Sequence, residues 1–183
     1  VPGAALAGMV TNCSDGGTGT VCPPAGALAG LAGASWARID FSGGGDMNGA
    51  AKGNGFAGKI GATYKINSDF TVGATYHSKT SLSDLETDSN GTVMSAAGFG
   101  TVGTGKIKVR DFQWPETYAV GVSWKANKEL MVVADVKQIK WKSVMKDFKM
   151  TYEGAVAGNA ATIDLAMPQN WKDQTVYELG VAY

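Results

Sequence analysis

Sixteen basic and sixteen acidic residues cancel across 183 residues, so no net field draws this chain to nucleic acid or to acidic partners. Charged residues make up 17%, below the roughly 25% of soluble domains, and the 26 glycines are about twice the average usage. No run of about 18 apolar residues occurs, which excludes a transmembrane helix but not membrane strands, each of which needs only ~9–11 alternating residues. The chain starts at Val1 without an initiator Met or a basic-then-apolar leader, so any targeting signal is expected outside this sequence or already removed.

Residues 1–34 are small and apolar (VPGAALAGM, then AGALAGLAG) around a cysteine-bearing stretch, NCSDGGTGTVCPP. Leu6 and Met9 stand three apart, as do Leu28 and Leu31, which fits two short helical turns; a flexible Gly/Ala loop fits equally. Cys13 and Cys22 have no His nearby and make a poor metal site. In an exported protein a local disulfide closing this loop is favoured over free thiols. Residues 36–41 read as a brief extended piece, and 42–54 as loop.

Residues 56–79 (FAGKIGATYKINSDFTVGATYHSK) alternate with period two on either side of a turn at Asn67-Ser68-Asp69. Phe56, Gly58, Ile60, Ala62 and Tyr64 share one face, continued by Phe70, Val72, Ala74 and Tyr76. Lys59, Gly61, Thr63 and Lys65 take the other face, with Thr71, Gly73, Thr75, His77 and Lys79. Successive side chains of a strand point to opposite sides, so this is a hairpin with one greasy and one polar face. Its aromatics stand near the ends with small or aliphatic residues between, the layout of a strand that faces lipid.

Residues 83–105 are polar and Gly-rich and read as a long connection. Their alternating Asp84, Glu86, Asp88 and Asn90 lack the later bidentate Glu of a calcium loop, and are taken as a solvated external segment. Strand character spans 106–125 with Pro115 interrupting it, which suggests a bulge. Residues 126–129 form a short turn, and 130–141 form a strand whose change of parity near Gln138 suggests a second bulge or the membrane boundary. A further long connection covers 143–170, and 171–183 is a last strand. The fold expected is all-β, an antiparallel transmembrane β-barrel contributing about five strands from 55–183, with 1–54 an external loop region.

Connections run short, long, short, long, which places the turns at 66–69 and 126–129 on the periplasmic side. Tyr64, Phe70, Trp124 and Tyr183 then form part of one aromatic girdle. Gly61, Gly121 and Gly180 stand three residues before their girdle aromatics and Gly73 three after its own, so all four face inward at about one height. Glycine weakens a strand and often marks close approach by another group. The ring reads either as space for something inside the barrel or as crowding in a Gly-rich lumen.

The pieces GATYKINSDFTVGATYHSK, WPETYAVGVSWKANKELMVVADVKQIKW and MPQNWKDQTVYELGVAY resemble the outer-membrane transport family of FadL and TodX, over about residues 54–183. The resemblance implies a fourteen-stranded barrel with an N-terminal hatch, taking up long-chain fatty acids or aromatic hydrocarbons by diffusion. Ligand would be captured on external loops, reach an inner pocket and leave through a gap in the wall. This sequence departs from that pattern in having no hatch segment and only about five spanning strands. Such a sheet has two open edges, which hydrocarbon does not tolerate, so a larger barrel is expected, completed by a longer protein or by several copies.

Catalytic arrangements are nearly absent. His77 is the only histidine, without a nucleophile partner or a zinc-type spacing, and reads as a pore-lining polar residue. Neither an enzyme nor a cofactor or metal is expected. Charge in a watery lumen is cheap, so Lys59, Lys65, Lys79, Lys125 and Lys137, with Asp135 and Glu178, fit simple solvation. Of these, Lys59 and Lys79 best suit anchoring a carboxylate head group, with His77 beside them. For first capture the apolar group Leu6, Met9, Leu28 and Leu31 is favoured. The expectation is an uptake channel for hydrophobic small molecules in the outer membrane of a Gram-negative bacterium, in contact with its lipid and lipopolysaccharide. The alternatives are a structural or adhesive barrel and a passive porin.

Overall fold

The computed structural model describes residues 1–14, 32–42 and 51–183. In chain order these form helix α1 (Gly3–Gly8) and strands β1 (Val10–Ser14), β2 (Ala37–Asp40), β3 (Gly55–Phe56), β4 (Lys59–Lys65) and β5 (Phe70–His77). Then come β6 (Ser81–Leu82), β7 (Leu85–Glu86), β8 (Thr92–Ala96), β9 (Gly100–Arg110) and β10 (Thr117–Lys125). After β11 (Met131–Ile139) and a 3-10 turn at Trp141–Ser143, the chain closes with β12 (Asp147–Val156), β13 (Asn159–Pro168) and β14 (Gln174–Ala182). Two compact units result: Val1–Asn54 with Ser83–Phe112 and Asp147–Gln169, and Gly55–Leu82 with Gln113–Lys146 and Asn170–Tyr183.

The first unit is built on a sheet in the order β1-β13-β12-β9-β8-β2, with β7 paired to β9. The stretches 83–105 and 143–170, read from sequence as connections, therefore carry β7, β8, part of β9 and the β12–β13 hairpin. Its strands are amphipathic in the ordinary sense. Ile107 and Val109 are buried, whereas Lys106, Lys108 and Arg110 between them reach carboxylates. Met94, Tyr152, Ile163 and Leu165 join that core, and α1 adds Leu6 to it. Outside, Lys108 and Lys106 both hold Glu86, at 2.9 and 3.1 Å, and their hydrogen bonds keep its carboxyl below the usual glutamate range. The β12–β13 turn places Ala157 and Gly158 at φ 51° and 80°. Only Gly158 does so without strain, and the Ala157 N–H is held by the Val102 carbonyl at 2.8 Å.

Tyr152 is 0% exposed. Its hydroxyl lies where a Cβ on Gly154 or Gly103 would be 2.9 or 3.0 Å away, and it donates to the Ala155 carbonyl at 2.8 Å. Burial pushes its pKa from the ordinary 10.0 to about 12. The folded value is the higher one, so this contribution is complete below pH ~10 and is lost as pH rises toward ~12, by roughly 2–3 kcal/mol. Alkaline melting curves are expected to show that extra loss in the native protein and not in Tyr152→Phe.

The second unit is a five-stranded antiparallel meander in the order β14-β11-β10-β5-β4, with a two-stranded β3–β6 ladder beside it in the chain. Two short turns join its strands, and they are built alike. Asn67 Oδ1 accepts from the N–H groups of Asp69 and Phe70 (2.8 and 2.9 Å), and Asn127 Oδ1 from those of Glu129 and Leu130 (both 2.8 Å). An Asn side chain thus stands in for backbone in each reversal.

Two details of this sheet correct the sequence reading. Pro115 does not sit in a bulge of one strand: β9 ends at Arg110, β10 begins at Thr117, and the two strands belong to different sheets. No bulge occurs near Gln138 either, because β10 and β11 pair without slip from Thr117↔Ile139 to Lys125↔Met131. The parity changes there because the strand stops at Ile139 and the 3-10 turn takes over.

Burial in the second unit runs opposite to the first. Ile60, Tyr177 and Leu179 are 70%, 77% and 78% exposed, and Tyr64, Tyr118, Val120, Val122, Trp124 and Val181 are exposed with them. Along β10 the apolar residues are exposed while Thr117, Ala119, Gly121 and Ser123 are only partly so. Water penalises such a continuous apolar face at roughly 25 cal/mol per Å², and patches beyond a few hundred Å² mark a contact surface.

Candidate functional site: a polar face of small side chains

Cross-strand partners on this sheet run in rows, and the rows alternate between its two faces. Val72, Val122, Ala134 and Leu179 form one apolar row. The polar row beside it is Thr63, Gly73, Gly121, Asp135 and Glu178. A hollow of about 480 Å³ opens on this side, lined by Gly61, Thr63, Gly73, Thr75, Gly121 and Asp135 among others. Its floor is shallow because two glycines face each other across β5 and β10.

The four glycines share this face but occupy three successive rows of it, counted on this face alone. Gly61 pairs with Thr75, one row farther from the short turns than Gly73 and Gly121, and Gly180 pairs with Val133, one row nearer. The aromatics step in the same way. Phe70 and Trp124 are partners, stacked at 5.9 Å, while Tyr64 pairs with Val72 one row away and Tyr183 lies beyond Val181 on the turn side. Strands of a barrel are tilted, so features at one height drift across hydrogen-bonded rows. The glycine line and the aromatic line drift together.

The charges sit on the same face. Lys137 Nζ donates to Glu178 Oε1 at 2.9 Å, and Asp135 is the cross-strand partner of Glu178. Farther from the turns Lys59 pairs with His77, whose Nδ1 donates to the Ser78 carbonyl at 3.0 Å. Lys79 is exposed just past the end of β5. Lys59 and His77 are therefore adjacent, two rows from the glycine pair, and Lys79 adjoins them along the chain.

Two of the four residues read as a capture group, Leu6 and Met9, are not presented as the sequence suggested. Leu6 is buried in the core of the first unit and Met9 packs partly buried against it, because the sheet there gives α1 an apolar surface to cover. Leu28 and Leu31 lie outside the described residues, as does Cys22. Cys13, at the end of β1, is partly buried and not free.

A feature the sequence reading missed lies at the ends of the strands away from the short turns. Trp141 packs against Trp114 at 5.9 Å and edge-on against Trp171 at 4.9 Å. These residues flank β10, β11 and β14 outside the alternating runs, so strand periodicity could not find them. Tyr76 and Tyr118 lie nearby in register at 5.1 Å, with the Tyr76 hydroxyl donating to Glu116 at 3.3 Å. Aromatics thus mark both ends of the apolar face, six residues apart along β5, or roughly 20 Å at ~3.3 Å per residue.

An apolar, exposed outer face bounded by two aromatic belts, backed by a polar face of small residues, defines the wall of a transmembrane β-barrel. Residues 25–183 match the family described as outer membrane protein transport protein (OMPP1/FadL/TodX), and the chain belongs to it. Among solved structures it is similar to the toluene transporter TbuX of Ralstonia pickettii, 37% identical over 69% of this chain and 31% of that one, with TM-score 0.60. It is also similar to the toluene transporter TodX of P. putida (30% identical, 86% and 38% covered, TM-score 0.70). The CymD monoaromatic hydrocarbon channel is a third (30%, 69% and 33%, TM-score 0.59). The chain spans about a third of the length of these structures. No curated protein matches it. Membership places the chain in the outer membrane of a Gram-negative bacterium. The hollow of about 1020 Å³ on the apolar face accordingly opens toward acyl chains, not toward a permeant.

Proposed function

We propose that this chain supplies part of the wall and external loops of a diffusion channel for hydrophobic small molecules, monoaromatic hydrocarbons in particular. The observation that carries this reading is the polar face whose centre is two paired glycines, a wall section with room beside it for a flat ring. The names of the similar structures, transporters of toluene and a monoaromatic hydrocarbon channel, support the choice of ligand. The edge strands β4 and β14 leave one side of their backbone unpaired among the described residues. Each such group costs several kcal/mol in hydrocarbon, which supports completion of this sheet by further strands into a closed barrel.

Long-chain fatty acids are the second reading, favoured by Lys59 opposite His77 with Lys79 close by in the chain. Uptake of labelled toluene and labelled oleate by cells dependent on the full-length protein separates the two. For a hydrocarbon channel, Lys59→Ala with Lys79→Ala leaves toluene uptake within about twofold, since an uncharged ring offers a cation no carboxylate to hold. If oleate uptake is present and falls about tenfold in that variant while toluene does not enter, the fatty-acid reading holds instead. Entry of neither compound sinks the proposal.

A further inference from the structure

The strand ends away from the short turns carry charge that neither the wall nor the channel uses. Asp173 organises them: its Oδ2 accepts from Lys140 Nζ at 2.6 Å and its Oδ1 from the Lys142 N–H at 3.0 Å. The Asn170 N–H and the Trp171 N–H bond the carbonyls of Lys146 and Met145, at 3.0 and 3.1 Å. These bonds fasten the segment after β11 to the segment before β14, and they hold Trp141 between Trp114 and Trp171. Of the carboxylates here, Asp173 is engaged by Lys140 and Glu116 by the Tyr76 hydroxyl, while Asp147, next to Lys146 in the chain, is exposed. Lys142, Lys146 and Lys172 are exposed and form no ion pair among the described residues. At the opposite end of the sheet, Lys65, Lys125 and Lys128 share their turns with Asp69 and Glu129, and Trp124 is the single tryptophan there.

We propose that Lys142, Lys146 and Lys172, with the tryptophan cluster, form a binding band for the phosphorylated glycolipid headgroup of the outer leaflet. The charge complements phosphate; Lys142 and Lys172 directly follow Trp141 and Trp171, Lys146 lies five residues from Trp141, and tryptophan seats at the boundary between headgroup and acyl chain. A free anion would make use of the lysines but leave the indoles in water. The rings lie where the apolar face gives way to the polar partners Gln138 and Thr175, whose side chains bond at 2.6 Å. The inference needs only that this end of the sheet is external, and it is independent of what the channel carries.

The test uses the full-length protein in non-ionic detergent. Binding of lipopolysaccharide, of its dephosphorylated lipid A, and of phosphatidylethanolamine is measured by native mass spectrometry. The triple variant Lys142→Ser, Lys146→Ser, Lys172→Ser is expected to bind lipopolysaccharide roughly tenfold or more weakly, whereas Lys125→Ser with Lys128→Ser changes it less than about twofold. Arginine at the same three positions restores binding, and dephosphorylated lipid A binds wild type and triple variant alike. Equal lipopolysaccharide binding by the triple variant overturns the band, as does an equal loss from the turn-side variant. Displacement of lipopolysaccharide by millimolar inorganic phosphate would also overturn it, by showing a free-anion site. Heat-modifiable migration and toluene uptake, read on the same variants, report separately on the barrel and the channel.

Discussion

Val122→Arg is expected to prevent stable insertion of the protein, while Ser123→Arg, one residue away, leaves insertion intact. Val122 lies in the row Val72, Val122, Ala134 and Leu179, in the interior of the exposed apolar face. An arginine there meets hydrocarbon, at a cost of about 2–4 kcal/mol near the midplane. Ser123 pairs with Thr71 and Val133 on the polar face, where a guanidinium stays hydrated. Heat-modifiable migration and protease protection of outer-membrane fractions measure the difference. Equal behaviour of the two variants would refute the difference between the faces, and the reverse outcome would mean that they are assigned the wrong way round.

Gly73→Trp is expected to cut hydrocarbon uptake by at least about tenfold, a barrier of ~1.4 kcal/mol or more, with folding preserved. A Cβ built on Gly73 meets the Thr63 methyl at 3.4 Å, ordinary contact, so the ring can extend over the polar hollow. Its partner Gly121 makes a poorer probe. There a Cβ comes within 3.0 Å of the Asp135 Cβ and 3.3 Å of the Ala134 carbonyl, so Gly121→Trp disturbs the β10–β11 pairing as well as the passage. Comparing the two separates obstruction from misfolding. Normal uptake by a correctly inserted Gly73→Trp variant removes the idea that this face borders the route.

The five strands of the wall were legible because their two environments differ so strongly. Tyr118, Val120, Val122 and Trp124 against Ala119, Gly121 and Ser123 is a period-two signal that lipid on one side and polar groups on the other impose. The other sheet was harder to see. Lys106, Ile107, Lys108, Val109 and Arg110 alternate clearly, but Gly103 and Gly105 blank the pattern just before them. Those glycines are there because a Cβ on either would collide with a β12 carbonyl, that of Ala155 at Gly103 and that of Glu153 at Gly105. The burial of Leu6 and Met9, read as capture residues, was hidden for a related reason. Nothing local to Leu6 and Met9 announces that Ile163 and Leu165, far along the chain, provide a core for them. The Trp114, Trp141 and Trp171 cluster depends on pairing register alone, which no linear reading supplies.

The wall strands are adjacent in space in the order in which they are synthesised, β4, β5, β10, β11, β14. Each long excursion, Ser83–Phe112 or Asp147–Gln169, therefore leaves from one strand and returns to its immediate neighbour. An excursion of that kind is a cassette. It can lengthen or shorten without disturbing a single pairing of the wall strands, because the ladder pairs His77↔Thr117 and Ile139↔Gln174 already join the strands on either side of each excursion. In this architecture the excursions can change in length and sequence while the wall strands keep every one of their pairings.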